Sequence, residues 1–68
     1  SALFPNPTSG DLFISKDYYN NKEYHVYSLY GSKLRSGLIR NQVVSFDGLP
    51  AGVYILNIDG QVAKVMKR

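Results

Sequence analysis

The 68-residue chain carries eight Lys and Arg against five Asp and Glu, for a net charge of +3 and a pI near 9.3, with one histidine and no cysteine. A chain this short encloses one core, and a core of that size supplies only about 3–5 kcal/mol. Without disulfides or a cluster of metal ligands, a single domain leaning on a neighbour, a partner or a second copy of itself is expected, and no apolar run is long enough for a membrane span. Ser1 in place of an initiator methionine points to a segment excised from a larger precursor, whose signal peptide lies upstream. Lys16, Lys22, Lys33, Arg35 and Arg40 are dispersed, which argues against a nucleic-acid stripe; only Lys64, Lys67 and Arg68 are concentrated.

In chain order, Leu3-Phe4-Pro5-Asn6-Pro7-Thr8-Ser9-Gly10 comes first. Its prolines fix φ and disfavour helix at Phe4 and Asn6, so a stiff extended segment turning at Ser9-Gly10 is expected. A proline in the middle position prevents Asn6-Pro7-Thr8 from being a glycosylation acceptor. Residues 11–15 read as a strand, with Leu12 and Ile14 alternating against Phe13. After a polar turn at 17–22, residues 23–30 are dense in aromatic and branched side chains, as a half-buried strand should be. Gly31-Ser32 turns the chain, and residues 33–38 form the return arm with Leu34 inward and the charges outward. Asn41-Gln42 breaks before a strand at 43–46. Asp47-Gly48 and Pro50-Ala51-Gly52 reverse the chain into residues 53–58, whose near-continuous hydrophobicity suggests a central position. Asp59-Gly60 is a two-residue hairpin signal, and residues 61–66 return antiparallel. Six or seven short strands at this spacing predict an all-β fold, a small Ig-like antiparallel β-sandwich.

Catalysis has little to stand on. His25 is alone, the serines lack a Gly-x-Ser-x-Gly setting, and Asp11, Asp17, Glu23, Asp47 and Asp59 sit mostly in turns, where they form turns rather than an acid–base pair or a metal cage. No cofactor motif is present. Tyr24, Tyr27, Tyr30 and Tyr54 lie among apolar neighbours and read as core rather than as a nucleic-acid stacking platform. Tyr18-Tyr19, in a polar loop, is the one pair outside that core, and it carries the alternative reading of a carbohydrate-binding or structural module appended to a secreted enzyme.

Three blocks in order and spacing decide the main reading: Leu3 to Gly10, Leu49-Pro50-Ala51-Gly52-Val53-Tyr54-Ile55-Leu56, and Lys64-Val65-Met66-Lys67-Arg68. Together they resemble the C-terminal sorting domain that Bacteroidetes attach to cargo of the type IX secretion system. The resemblance implies no enzymatic activity. It implies a covalently linked N-terminal cargo domain, recognition by an outer-membrane shuttle, and clipping by a sortase-like protease. The path runs through the periplasm to the cell surface or the medium. On this resemblance Pro5, Asn6, Pro7, Gly10, Gly52 and Tyr54 are scaffold: Gly52 supplies φ > 0 after Pro50-Ala51, and Tyr54 buries its ring with its hydroxyl partnered near the edge. Lys64, Val65, Met66, Lys67 and Arg68 are the expected contacts of the secretion machinery. They are placed on an exposed edge strand that offers its backbone for strand addition, and through which an isolated domain pairs into a homodimer.

Overall fold

Apolar residues spaced two apart, in short runs stopped by Gly, Asn, Asp and Pro, fold here as strands whose alternate side chains meet across a single core. The structure, a computed structural model, describes residues 3–68. In chain order the strands are β1 (Leu3–Phe4), β2 (Asp11–Ile14), β3 (Glu23–Ser28), β4 (Lys33–Leu38), β5 (Val43–Ser45), β6 (Gly52–Ile58) and β7 (Gln61–Lys67). One sheet has the order β1-β2-β5 and the other β4-β3-β6-β7, all neighbours antiparallel. The predicted sandwich is thus the observed one, and β6 is a central strand as its composition suggested.

The core lies between the sheets. Tyr24 and Val26 of β3, Tyr54, Leu56 and Ile58 of β6 and Val65 of β7 face Leu12 and Ile14 of β2 and Val44 of β5, with Ile39 and Phe46 closing it from the connections. Burying each such side chain contributes about 1.5–3 kcal/mol before chain entropy is subtracted. The turns follow their residues. Asp59 and Gly60 both have positive φ (51° and 84°), the two-residue geometry whose twist matches the flanking strands β6 and β7. Asn41 and Gln42 repeat it between Arg40 and Val43, and Gln42 is held there because its N–H donates to Asn20 Oδ1 (2.7 Å) and its Nε2 to the Ile14 carbonyl (2.8 Å).

Three expectations are corrected. β3 ends at Ser28, so Leu29 and Tyr30 form the hairpin tip, and Tyr30 is 96% exposed rather than core. Tyr27 lies half-buried on the outer face of its sheet. In β4 it is Arg35 and Gly37 that point inward, while Leu34 faces out. A register shift between Val26 and Tyr27 sets Lys33 opposite Tyr27 and Arg35 opposite Val26, with Leu34 as the extra residue. Gly37 faces the core because the Tyr24 ring occupies its place: a Cβ there would stand 3.1 Å from Tyr24 Cε2.

Candidate functional site

Asn6 joins the two ends of the described chain. Its Nδ2 donates to the Lys64 carbonyl (3.1 Å) and its Oδ1 accepts the Met66 N–H (2.9 Å), so one carboxamide substitutes for a neighbouring strand along the outer edge of β7. Two residues on, the Thr8 N–H donates to the Met66 carbonyl (2.9 Å) and the Arg68 N–H donates to the Thr8 carbonyl (2.9 Å), a parallel bridge centred on Lys67. Residues 5–8 thus form a strap over the C-terminal half of β7. Thr8 anchors it: this residue is buried, and its hydroxyl accepts the Gly10 N–H (3.1 Å) and donates to the Asp11 carbonyl (2.5 Å). Gly10 lies at the foot of the strap, where a Cβ would stand 2.4 Å from Oδ1 of the exposed Asp47 side chain, which would have to swing aside.

The strap corrects the expectation of an open terminal edge. Along β7 the residues whose backbone groups point away from β6 are Lys64 and Met66, as their bonds to Asn6 and Thr8 show, and period-two alternation adds Val62. The stretch available for strand addition is therefore confined to the hairpin end of β7.

The tail residues separate by side. Val65 is fully buried in the core and Lys67 is half-buried, whereas Lys64 and Met66 project from the outer face of the β4-β3-β6-β7 sheet and Arg68 is exposed beyond its end. Gly52 and Tyr54 sit where the adjacent β6 begins. Gly52 has φ 157°, a value that L residues seldom adopt, with open space where a Cβ would lie. The Tyr54 ring packs 6.0 Å from that of Phe46, and its hydroxyl donates to the Pro50 carbonyl four residues upstream, closing the loop that leads into the strand. This is the geometry of a tyrosine corner.

His25 Nε2 lies 2.9 Å from Glu23 Oε1 and its Nδ1 has no partner among the described groups; across the sheet Ser36 stands opposite it on β4 and Asn57 on β6. Among the described residues no three His, Cys, Asp or Glu gather as a metal site. A cleft of about 250 Å³ opens between the sheets at the Leu3 end, lined by Ile14, Tyr19, Ile58 and Val62, and Lys16 is its one ionisable cation. Tyr18 and Tyr19 meet edge to face at 5.3 Å in a 3-10 turn, Asp17–Tyr19. Tyr19 packs against the core while Tyr18 lies under Lys22 Nζ at 5.0 Å, so the pair presents no shared flat surface to a sugar ring.

Sequence reasoning missed Thr8 and Arg35. A threonine two residues before a turn glycine is a signal for the first, since hydroxyls there bond the following backbone; an arginine in an alternating strand gave no signal for the second.

Compared with known families, residues 2–68 match the one described as secretion system C-terminal sorting domain. No curated protein and no solved structure gives a match.

Proposed function

This chain belongs to the family of C-terminal sorting domains of the type IX secretion system, and we propose that it works as a folded address whose legible part is built jointly from its first and last blocks. The family is one of signals rather than catalysts, and it implies an N-terminal cargo and export across the outer membrane to the surface or the medium. The observation that carries the proposal is the direct bonding of Asn6 and Thr8 to Lys64, Met66 and Arg68. Blocks nearly sixty residues apart in sequence are one site in space.

In this reading the cargo precedes residue 1, crosses the periplasm with the folded domain attached, and is handed by an outer-membrane shuttle to a sortase-like protease that cuts upstream of the strands. Leu3 lies beside Val62 at the cleft end of the sandwich and Arg68 beside Thr8 at the other, so the tail would be presented at the pole away from the cargo. The shuttle reads Lys64, Met66, Lys67 and Arg68 at the surface. Val65 serves by keeping that strand in the core, and Pro5, Asn6, Pro7 and Gly10 serve by keeping it in register. With its edge occupied by the strap, the tail offers side chains before backbone. Fusing residues 1–68 to a periplasmic reporter in a host with an active type IX system is expected to bring the reporter to the cell surface, as judged by protease accessibility. Retention equal to that of the unfused reporter would overturn the proposal.

A further inference from the structure

The β3–β4 hairpin ends in two adjacent large apolar residues, one of them the most exposed of the large hydrophobics among the described residues. Leu29 is 60% exposed and Tyr30 96%, and the turn that carries them is built. Ser28 Oγ accepts the N–H of both Tyr30 and Ser32 (3.2 Å each), its carbonyl accepts Gly31 N–H (3.0 Å), and its N–H donates to the Ser32 carbonyl (2.9 Å), with Gly31 at φ 89°. Four hydrogen bonds thus hold two large apolar side chains out in water. Such a disposition costs hydration free energy unless something receives them.

The charge around the tip identifies the receiver. From residue 24 to residue 46 the chain has no acidic residue, while Lys33 flanks the tip directly. Ser28 pairs with Tyr54 and Tyr54 with Val65, so Lys67 and Arg68 lie at the same end of the sheet, and Met66 extends the apolar surface beside them. The acids at that end, Asp11 and Asp47, belong to the other sheet and its connection. A second copy docked tip to tip would oppose lysine to lysine. A protein pocket would have to be concave and acidic to accept a convex basic tip, whereas a lipid interface deforms around one. Leucine and tyrosine partition into the headgroup region and cations set behind them reach phosphate, which is how shallow membrane contacts are made.

We propose that the β3–β4 tip is a membrane-contact element, in which Leu29 and Tyr30 enter the interfacial layer of an anionic bilayer while Lys33, Lys67 and Arg68 meet its phosphates. This holds or fails independently of the sorting role, because it turns on Leu29, Tyr30 and Lys33, which that role does not use, and is read without any secretion assay.

The chain has no tryptophan, so Tyr30→Trp places a single reporter at the tip. With vesicles of mixed phosphatidylcholine and phosphatidylglycerol its fluorescence is expected to shift to the blue and to be quenched by brominated lipid. Tyr18→Trp, exposed at the opposite end of β3, serves as the control and is expected to show neither change. In co-sedimentation Leu29→Ser/Tyr30→Ser should lose about tenfold in vesicle affinity, and Lys33→Gln about fivefold, a loss that added salt reproduces. Neither tip residue belongs to the core cluster, so circular dichroism of the double variant should stay that of the wild type. An unshifted tip tryptophan, equal shifts at both positions, or sedimentation with pure phosphatidylcholine at the same affinity would each overturn the proposal, the first leaving an acidic protein as the receiver of the tip.

Discussion

The larger sheet has two edges, and the protein guards them by unlike means. β4 is guarded from within. Its bulge twists it away from a flat template, Lys33 stands on the outer face, and Arg35 turns inward, where Nη1 donates to the Ser45 carbonyl (2.9 Å) and Nη2 to the Asp47 carbonyl (2.7 Å). β7 is guarded from without, by residues 5–8, which satisfy the Lys64 carbonyl and the Met66 N–H and carbonyl in its C-terminal half. The first device exists wherever the strand exists, and it also ties one sheet to the other. The second is a separate piece of chain, bonded to the strand through Asn6 and Thr8 and so removable by substitution there without change to the strand itself. Arginine guards the edge at β4, and the strap guards the edge that carries the tail.

The largest effect on this contrast should come from deleting residues 65–68. The deletion removes Val65 from the core and both Thr8 partners from the strap, a loss on the scale of the whole stability of about 3–5 kcal/mol available to a domain this small. Circular dichroism is expected to show an unfolded chain. A cooperative thermal transition in the truncated domain would mean that β7 is an appendage. The strand between the two edges sets the scale for point changes. Tyr54→Ala should cost about 3–5 kcal/mol. Tyr54→Phe, which loses only the bond to Pro50, should cost about 1 kcal/mol, and equal losses in denaturant titration would remove the corner from the account.

The two guards themselves come next. Arg35→Ala breaks two charge-assisted bonds and should cost about 1.5–3 kcal/mol while the protein stays monomeric, because the bulge and Lys33 remain. Asn6→Ala should cost less, about 1–2 kcal/mol, yet open the backbone of Lys64 and Met66 and so introduce concentration-dependent association in light scattering. Association of the Arg35 variant, with a monomeric Asn6 variant, would reverse the assignment of permanent and removable guards. Smallest is Gly52→Val. No atom lies within 4 Å of the added Cβ, so the backbone strain of φ 157° leads, about 1 kcal/mol in a thermal melt.

The sandwich was legible because period-two alternation and turn chemistry act locally. Leu12 and Ile14, the Asp59-Gly60 turn and the apolar run of β6 each declare themselves within a few residues. What sequence could not supply was anything decided by pairing across distance. The inward turn of Arg35 and outward turn of Leu34 depend on a bulge opposite Tyr27, and a single extra residue exchanges the faces of a strand. The expectation of an open terminal edge failed for the same reason. Nothing near Lys64 announces that Asn6, 58 residues earlier, will occupy its carbonyl. Of the tail residues, alternation alone could have told Val65 from Lys64 and Met66, since a strand cannot show one face to both the core and a partner.

The strap also orders events in time. Asn6 and Thr8 emerge from the ribosome among the first residues of the domain, but the groups they bond belong to β7, among the last, and Val65 completes the core only then. A polypeptide interrupted anywhere before residue 61 lacks the strand that closes the edge and the core together. Core and guarded edge are therefore completed by one and the same strand, and neither can form before β7 is made.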